Sequence, residues 1–283
     1  MGFKQNRALS FLIVALVYVL ATAAGVISYL LLPFNFWLNL LLADIIATVV
    51  TFIFSLIFKN ASVYDPYWSV QPIVIVVAFA IGYGLTPTGI ILTAAICYWG
   101  VRLTANWAYT FLSLNHQDWR YTHYQKLTGV LYPVVNFFGI HLMPTLIVYA
   151  CTMPAVFAIV YGAAFNVGVV IFAAVSVGAT TIQLISDIQM QKFRKNKTGG
   201  FIRVGLWKYS RHPNYLGEIL MWWGIALATV CVMPNCWYLI AGAAANTLLF
   251  LCVSVPLADG KQSKKEGFLE YKKATRMLLP IKK

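Results

Sequence analysis

Apolar positions along this chain come in long unbroken runs rather than in alternation with polar ones. Eight runs are readable, over residues 8–31, 38–58, 70–84, 88–113, 132–151, 165–190, 215–233 and 236–256. A coiled run of about 20 apolar residues matches the hydrocarbon thickness of a bilayer. Helix is the required conformation there, because lipid offers no partner to a backbone N–H or C=O. A membrane β-barrel needs short alternating segments, and these runs do not alternate. The pattern therefore predicts an all-α, polytopic integral membrane helical bundle of seven or eight transmembrane helices. The third run is short for a crossing and is expected to tilt, re-enter or line a cavity. No internal repeat or low-complexity stretch interrupts the chain. It reads as a single membrane-embedded domain over 1–283, with N-terminal helices in 1–60 and the polar chemistry in 61–283.

Charge then orients the spans. Hydrophobic residues make up 60% of the chain and charged residues only 10%, against about 25% charged in an ordinary soluble domain. Lys4 and Arg7 precede the first run, Lys59 follows the second, and Arg120 and Lys126 follow the fourth. Seven basic residues lie between Lys192 and Arg211 and eight between Lys261 and Lys283, while 32–37, 85–87, 152–164 and 234–235 contain none. Cytoplasmic loops carry the Lys/Arg excess, so with eight spans every charged loop falls on one side and both termini are expected in the cytoplasm. The net charge of +13 suits contact with anionic membrane lipid. No nucleic-acid-binding module accompanies it, so no nucleic-acid partner is expected. The start, MGFKQNR, precedes a run long enough to span, and no small-residue cleavage site follows, so a removed signal peptide is not expected. Gly2 lacks the Ser or Thr that a myristoylation motif places downstream. The five cysteines form no CxxC pair and read as ordinary thiols. His116, His123, His141 and His212 lack a metal-ligand spacing, so no metal is expected.

Ionisable residues inside spans are costly and are functional by default. They are Asp44, Arg102, Asp187 and Glu218, with Asp65 at a span boundary. Arg102 needs a partner, for which Asp65, Asp187 and Glu218 are candidates; a buried ion pair that merely fixes packing is the competing reading. Asp44 falls near the outer end of its span and reads as an interfacial or packing residue. Gln183 and Asp187 are four residues apart and share a helix face that Gln191 and Arg194 continue. That stripe is poor lipid-facing material and suits a polar ligand, although a helix end emerging into water would look similar.

The densest motif is GLWKYSRHPNYLGEILMWWG, residues 205–224. Pro213 suits a first helical turn, and Tyr209, Ser210, Arg211 and His212 stand just ahead of it. A helix start flanked by cations is a natural phosphate site. Asn214 and Glu218 share a face one turn apart, and the carboxylate is able to bond a ribose hydroxyl or an amide.

This run resembles the C-terminal signature of the steroid 5α-reductase, sterol-reductase and isoprenylcysteine methyltransferase superfamily. YDPYWSVQP (64–72), WGVRLTANW (99–107), QDWRY (117–121), FFGIHLMPT (137–145) and the stretch 253–280 are similar to its bacterial "domain of unknown function 1295" branch. The resemblance runs from about residue 60 to the end. The tail departs from the branch pattern, with Ala258-Asp259-Gly260-Lys261 where an acidic-basic pair is usual. The resemblance implies a reductase of a bacterial inner membrane, with NADPH bound from the cytoplasm between the last helices. By position, Gln183, Asp187 and Arg194 match the cofactor face of the helix before the signature. Tyr209, Arg211, His212, Asn214, Tyr215 and Glu218 match the signature itself, and Lys261 and Tyr271 are the tail candidates. Asp65, seven residues before Pro72, matches the acid that polarises a substrate carbonyl. The tyrosine that assists it falls at Trp99 by spacing, with Tyr98 its neighbour; Asp65, Tyr98 and Arg102 are the catalytic expectation.

The implied reaction reduces a carbon–carbon double bond conjugated to a ketone, with an apolar steroid or sterol-like partner and a 3-oxo-Δ4 steroid as first choice. Asp65 donates to the forming enolate only when protonated, and an apolar site favours the neutral acid. The alternative is methyl transfer from S-adenosylmethionine, since the RHPxY element occurs in that relative too. That cofactor lacks phosphates, so the basic surroundings favour NADPH. A transporter is the third reading, but the repeated halves common in transporters are absent.

Overall fold

The computed structural model describes residues 3–196 and 200–280; Gly2 and three of the basic residues counted above, Lys197, Lys282 and Lys283, lie outside them. The described residues are helical and contain no strand. The helices are α1 (Arg7–Leu31), α2 (Phe36–Phe58), α3 (Tyr67–Tyr83), α4 (Pro87–Thr110), α5 (Trp119–Thr128), α6 (Tyr132–Val135), α7 (Met143–Val160), α8 (Val167–Lys195), α9 (Pro213–Val230), α10 (Ala241–Leu249), α11 (Val255–Gln262) and α12 (Phe268–Ala274). A π-helical turn, Asn136–Leu142, joins α6 to α7, and another, Phe250–Ser254, joins α10 to α11. Local chemistry sets the starts. Asn6, Asn35 and Asn166 cap α1, α2 and α8 by accepting from a backbone N–H three residues on, and Asp118 caps α5.

Seven helical segments among the described residues are long and apolar enough to cross a bilayer: Arg7–Leu31, Phe36–Phe58, Ala61–Tyr83, Pro87–Thr110, Trp119–Val160, Val167–Lys195 and Pro234–Gln262. The protein is thus an integral membrane protein. The third run is longer than its apolar stretch suggests, because a turn at Ala61–Val63 leads into α3 and completes a 23-residue segment. The seventh apolar run forms α9, which is not among the seven. It has 18 residues, most of them buried, and its Asn214, Glu218 and tryptophans lower its apolar character.

The chain divides into two compact units, one made of Met1–Val74 and Leu103–Tyr149 and the other of Ile75–Arg102 and Ala150–Lys283. The boundaries fall within α3, α4 and α7. In the first unit α1 turns a small-residue and valine stripe inward (Ser10, Val14, Val17, Ala21, Gly25) and leaves Leu12, Leu16, Leu20 and Ile27 exposed as lipid-facing surface. Gly25 meets α2 closely; a Cβ there would lie 3.3 Å from the Ala43 carbonyl oxygen. Besides Leu40, Ala43 and Ala47, α2 buries a polar stripe of Asp44, Thr48, Thr51 and Ser55. Of the two readings of Asp44, interfacial or packing, its burial supports the packing one. Its carboxylate accepts from the Tyr67 hydroxyl at 2.9 Å and the Gln71 amide at 2.8 Å.

The second unit is built on the α8–α9 pair. A Cβ at Gly217 would lie 2.6 Å from the Ala179 carbonyl, and one at Gly224 2.7 Å from the Phe172 carbonyl. Only glycine at those places lets the two backbones approach, as in small-residue packing between membrane helices. Ser176 adds a hydrogen bond of 2.9 Å to the Met221 carbonyl across the same contact.

Candidate functional site

Three polar groupings carry most of the residues singled out in the sequence. The first joins α4, α8 and α9. Arg102, buried, places Nη1 2.9 Å from Asp187 Oδ2 and donates from Nη2 to Gln183 Oε1. Of the three carboxylates considered as its partner, Asp187 holds it. Glu218 is equally buried but takes a different pair: Trp99 Nε1 donates to Oε2 at 2.8 Å and Trp222 Nε1 to Oε1 at 2.9 Å. Both of its carboxylate oxygens are engaged within the protein, which departs from the expectation of a carboxylate reserved for a ribose. Trp99 thus points inward, its ring edge-on to Trp222 with centroids 4.7 Å apart. Tyr98, one residue before it, points the other way. It is 36% exposed and its hydroxyl pairs with Thr181 Oγ1 at 3.1 Å. Tyr98 and Arg102, four residues apart on α4, thus both bond α8, at Thr181 and at Gln183 and Asp187 respectively.

Hydrogen-bonding capacity remains in this layer. Arg102 Nε, Gln183 Nε2 and Asn214 Oδ1 are buried with no hydrogen-bond partner, as is Arg211 Nε just ahead of α9. Buried polar atoms are nearly always paired, so each of these four atoms, on α4, on α8 and about the α9 start, has hydrogen-bonding capacity left over.

The second grouping is a cap made by residues 200–212, α11, α12 and the following strand-like tail. Asp259 is its centre. It accepts from Arg211 Nη2 at 3.1 Å and faces His212 Nε2 at 2.9 Å, with Lys272 Nζ at 3.4 Å. Arg211 Nη1 also donates to the Thr275 carbonyl, and the backbone N–H groups of Arg211 and His212 donate to the Arg276 and Met277 carbonyls at 3.0 and 3.2 Å. The cations expected to face a phosphate are thus bound to the tail. His212 stacks on Tyr215, with centroids 5.0 Å apart. The Tyr271 hydroxyl donates to the Trp207 carbonyl. Burial pushes its phenol up to about 12, Asp259 adding to the rise and Arg211 opposing it. Arg194, Tyr209 and Lys261 are exposed, and Arg203 lies over the Phe201 ring, 4.3 Å from its centroid. Sequence reasoning noted Asp259 only as a departure from a pattern. Its pairing spans 48 residues to Arg211, and no local spacing signals that.

The third grouping belongs to the first unit. Asp65, half-buried, accepts from the Tyr121 hydroxyl at 2.5 Å. Tyr121 is delivered by the QDWRY segment, which is tied to residues 60–65 by Gln117 Oε1 accepting from Ala61 N–H at 2.9 Å and by Asp118 N–H donating to Ser62 Oγ at 2.9 Å. Arg120 stays with Asp118 at 2.9 Å and over the Tyr121 ring. The hydroxyl bonded to Asp65 within this unit is that of Tyr121. QDWRY was visible as a motif, but nothing in its composition assigned Tyr121 to Asp65. No group of three or more His, Cys, Asp or Glu among the described residues is arranged to hold a metal ion.

A membrane-embedded helical protein with a buried Arg–Gln–Asp layer, a Glu held by two indoles and a proline-started α9 is the class that this geometry defines. Residues 51–275 match the family described as "Protein of unknown function (DUF1295)", and the chain belongs to that family. It is accordingly a membrane protein of the steroid 5α-reductase-like superfamily. It is also similar to an uncharacterised protein of Schizosaccharomyces pombe, 26% identical over 193 residues. That match covers 58% of this chain and 56% of the relative, so it spans little more than half the relative's length. No solved structure matches the chain.

Proposed function

We propose that this protein is an NADPH-dependent reductase of the carbon–carbon double bond in an apolar enone, with a 3-oxo-Δ4 steroid as the first substrate to try. The observation that supports it is the set of unpartnered buried atoms around the α9 start. Arg102 Nε, Gln183 Nε2 and Arg211 Nε are donors suited to phosphate, hydroxyl or carboxamide oxygens, and Asn214 Oδ1 is an acceptor suited to a ribose hydroxyl or carboxamide NH₂. These residues would hold the nucleotide, with Arg194, Arg203 and Lys208 as exposed cations beside them. NADPH, when bound, supplies the hydride.

Every other part falls to the chain. Asp187 and Gln183 fix the Arg102 guanidinium. Trp99 and Trp222 fix Glu218, whose negative charge offsets that of the nearby cation. In the first unit, Asp65 in its protonated form, oriented by the hydrogen bond it accepts from the Tyr121 hydroxyl, would donate to a substrate carbonyl. A preorganised donor at the oxygen where charge develops is worth most in a dry site. An apolar ketone partitions into the bilayer and reaches the protein from lipid. The Lys/Arg-rich cap supports a cytoplasmic side of an inner membrane for this chemistry; on this reading α9 is an eighth, interior crossing, and both termini are cytoplasmic.

Purified protein in detergent, given NADPH and a panel of enones, should oxidise NADPH in step with a saturated ketone. A methylated product formed from S-adenosylmethionine, without NADPH oxidation, would replace this reading with methyl transfer.

A further inference from the structure

Apart from Asp65 and Tyr121, the polar interior of the first unit has no part in the reductase reading so far, and its hydrogen bonds can be followed atom by atom. Ser55 Oγ donates to the Phe52 carbonyl at 2.8 Å, which leaves its oxygen to accept from Asn136 Nδ2 at 3.2 Å. The Asn136 amide is thereby oriented, and its Oδ1 is left buried with no partner. His141 Nδ1 lies 3.0 Å from the Asn136 carbonyl oxygen. A carbonyl only accepts, so Nδ1 carries the hydrogen. An imidazolium is costly within a membrane, so the ring is neutral and Nε2 presents a lone pair. That atom also has no partner, in a side chain with 0% exposure. Gln71 gives its amide N–H to Asp44, and its Oε1 is a third unpartnered buried acceptor. Among the described residues, the remaining unpartnered buried side-chain atom of this unit, the Tyr132 hydroxyl, can donate or accept. The Asn136, His141 and Gln71 atoms only accept, so the chemistry missing at them is a hydrogen-bond donor.

Asn136 and His141 both lie in the π-helical turn Asn136–Leu142. Such single turns recur at functional sites. The turn also borders the carbonyl-polarising pair. The Tyr64 ring lies 4.6 Å from His141, and the next residue, Asp65, holds Tyr121, whose ring packs with Ile140.

We infer that His141 Nε2, seconded by Asn136 Oδ1, accepts a hydrogen bond from a hydroxyl at the end of the substrate remote from its enone. The protein is then selective for hydroxylated apolar ketones. This rests on the reductase reading for the reacting end and adds the class of the other end. The two poles are complementary: protonated Asp65, held by the Tyr121 hydroxyl, donates to a carbonyl oxygen, and His141 accepts from a hydroxyl. A ketone at the remote end would bring acceptor against acceptor, and a hydrogen would leave the imidazole unsatisfied. A trapped water offers the same donors, and the test separates the two sources.

Three enones of one skeleton, carrying a hydroxyl, a ketone or a hydrogen at the remote end, are compared with the purified protein. Binding is read by tryptophan quenching without NADPH, and KM and kcat with it. The hydroxyl compound should bind about tenfold more tightly than the other two, as one well-made hydrogen bond allows. His141→Phe keeps ring packing against Tyr64 and Phe52 and should erase that preference. If this variant does not fold, the ligand series on the parental protein decides alone. Equal affinity and equal KM across the series, with NADPH still oxidised, overturns this inference only and assigns the acceptors to water. Binding of none and no NADPH oxidation overturns it together with the reductase reading.

Discussion

Glu218 shows how much a single buried carboxylate is asked to do. Its two oxygens each take one indole N–H, from Trp99 and Trp222. Glu218→Gln keeps the volume but replaces one acceptor oxygen with an NH₂ that faces a donor. An unsatisfied buried pair of this kind costs about 1–3 kcal/mol, to be seen as a lower midpoint in thermal unfolding in detergent. Arg102→Leu should cost more, about 3–5 kcal/mol, because it strands Asp187 without its cation; the double variant Arg102→Leu with Asp187→Leu should recover much of that loss. Tyr121→Phe removes the hydroxyl at Asp65 and leaves the nucleotide-holding residues untouched. On the proposed function it should lower kcat by about 10- to 100-fold, with the KM for NADPH unchanged; an unaltered kcat would remove Tyr121 from the mechanism.

At the scale of elements, α8 and α9 are matched by what they lack. Gly224→Ala drives a methyl to 2.7 Å from the Phe172 carbonyl, a backbone atom that cannot swing aside. Separating the helices should cost about 1–3 kcal/mol. Gly178, on α8, has nothing within 4 Å of an added Cβ. Gly178→Ala should be neutral or stabilising by up to about 1 kcal/mol, so the pair of variants separates packing from helix propensity. The cap answers to pH. Tyr271 donates only as a neutral phenol, and its value is raised from 10.0 to about 12. Its contribution is complete below about pH 10 and fades as pH rises toward 12. Hydrogen exchange of α12 should show that alkaline loosening in the parental protein and not in Tyr271→Phe.

For the whole molecule, the spans were legible in the chain because a bilayer imposes a length and a polarity that local sequence must meet. The start of α9 at Pro213 was legible for a similar reason, a residue type matched to a helix terminus. The Arg102–Asp187 pair was legible as a short list of candidates, since a charge in a membrane demands a counter-charge. The roles of Asp259 and Tyr121 and the partners of Asp44 were not, because each depends on a residue brought from elsewhere in the chain. α9 was readable as apolar but not as an interior helix, since burial by neighbours is invisible to a hydropathy pattern. The proposed orientation predicts that cysteines placed at Lys126 and Lys272 react with an impermeant reagent from the cytoplasmic side. Cysteines at Thr86 and Asn235 should react from the other side.

The polar face of α2 bears on how the protein is made. Asp44 finds its two donors only 23 and 27 residues downstream, on the first turns of α3. Its threonine neighbour waits for Thr145, 97 residues later. A nascent α2 released alone would present a carboxyl group to lipid at about 2.5–3.5 kcal/mol. Lateral exit from the translocon is therefore favoured once α3 has emerged, so the two leave as a hairpin, and a stop codon placed between them should yield a fragment that the cell degrades.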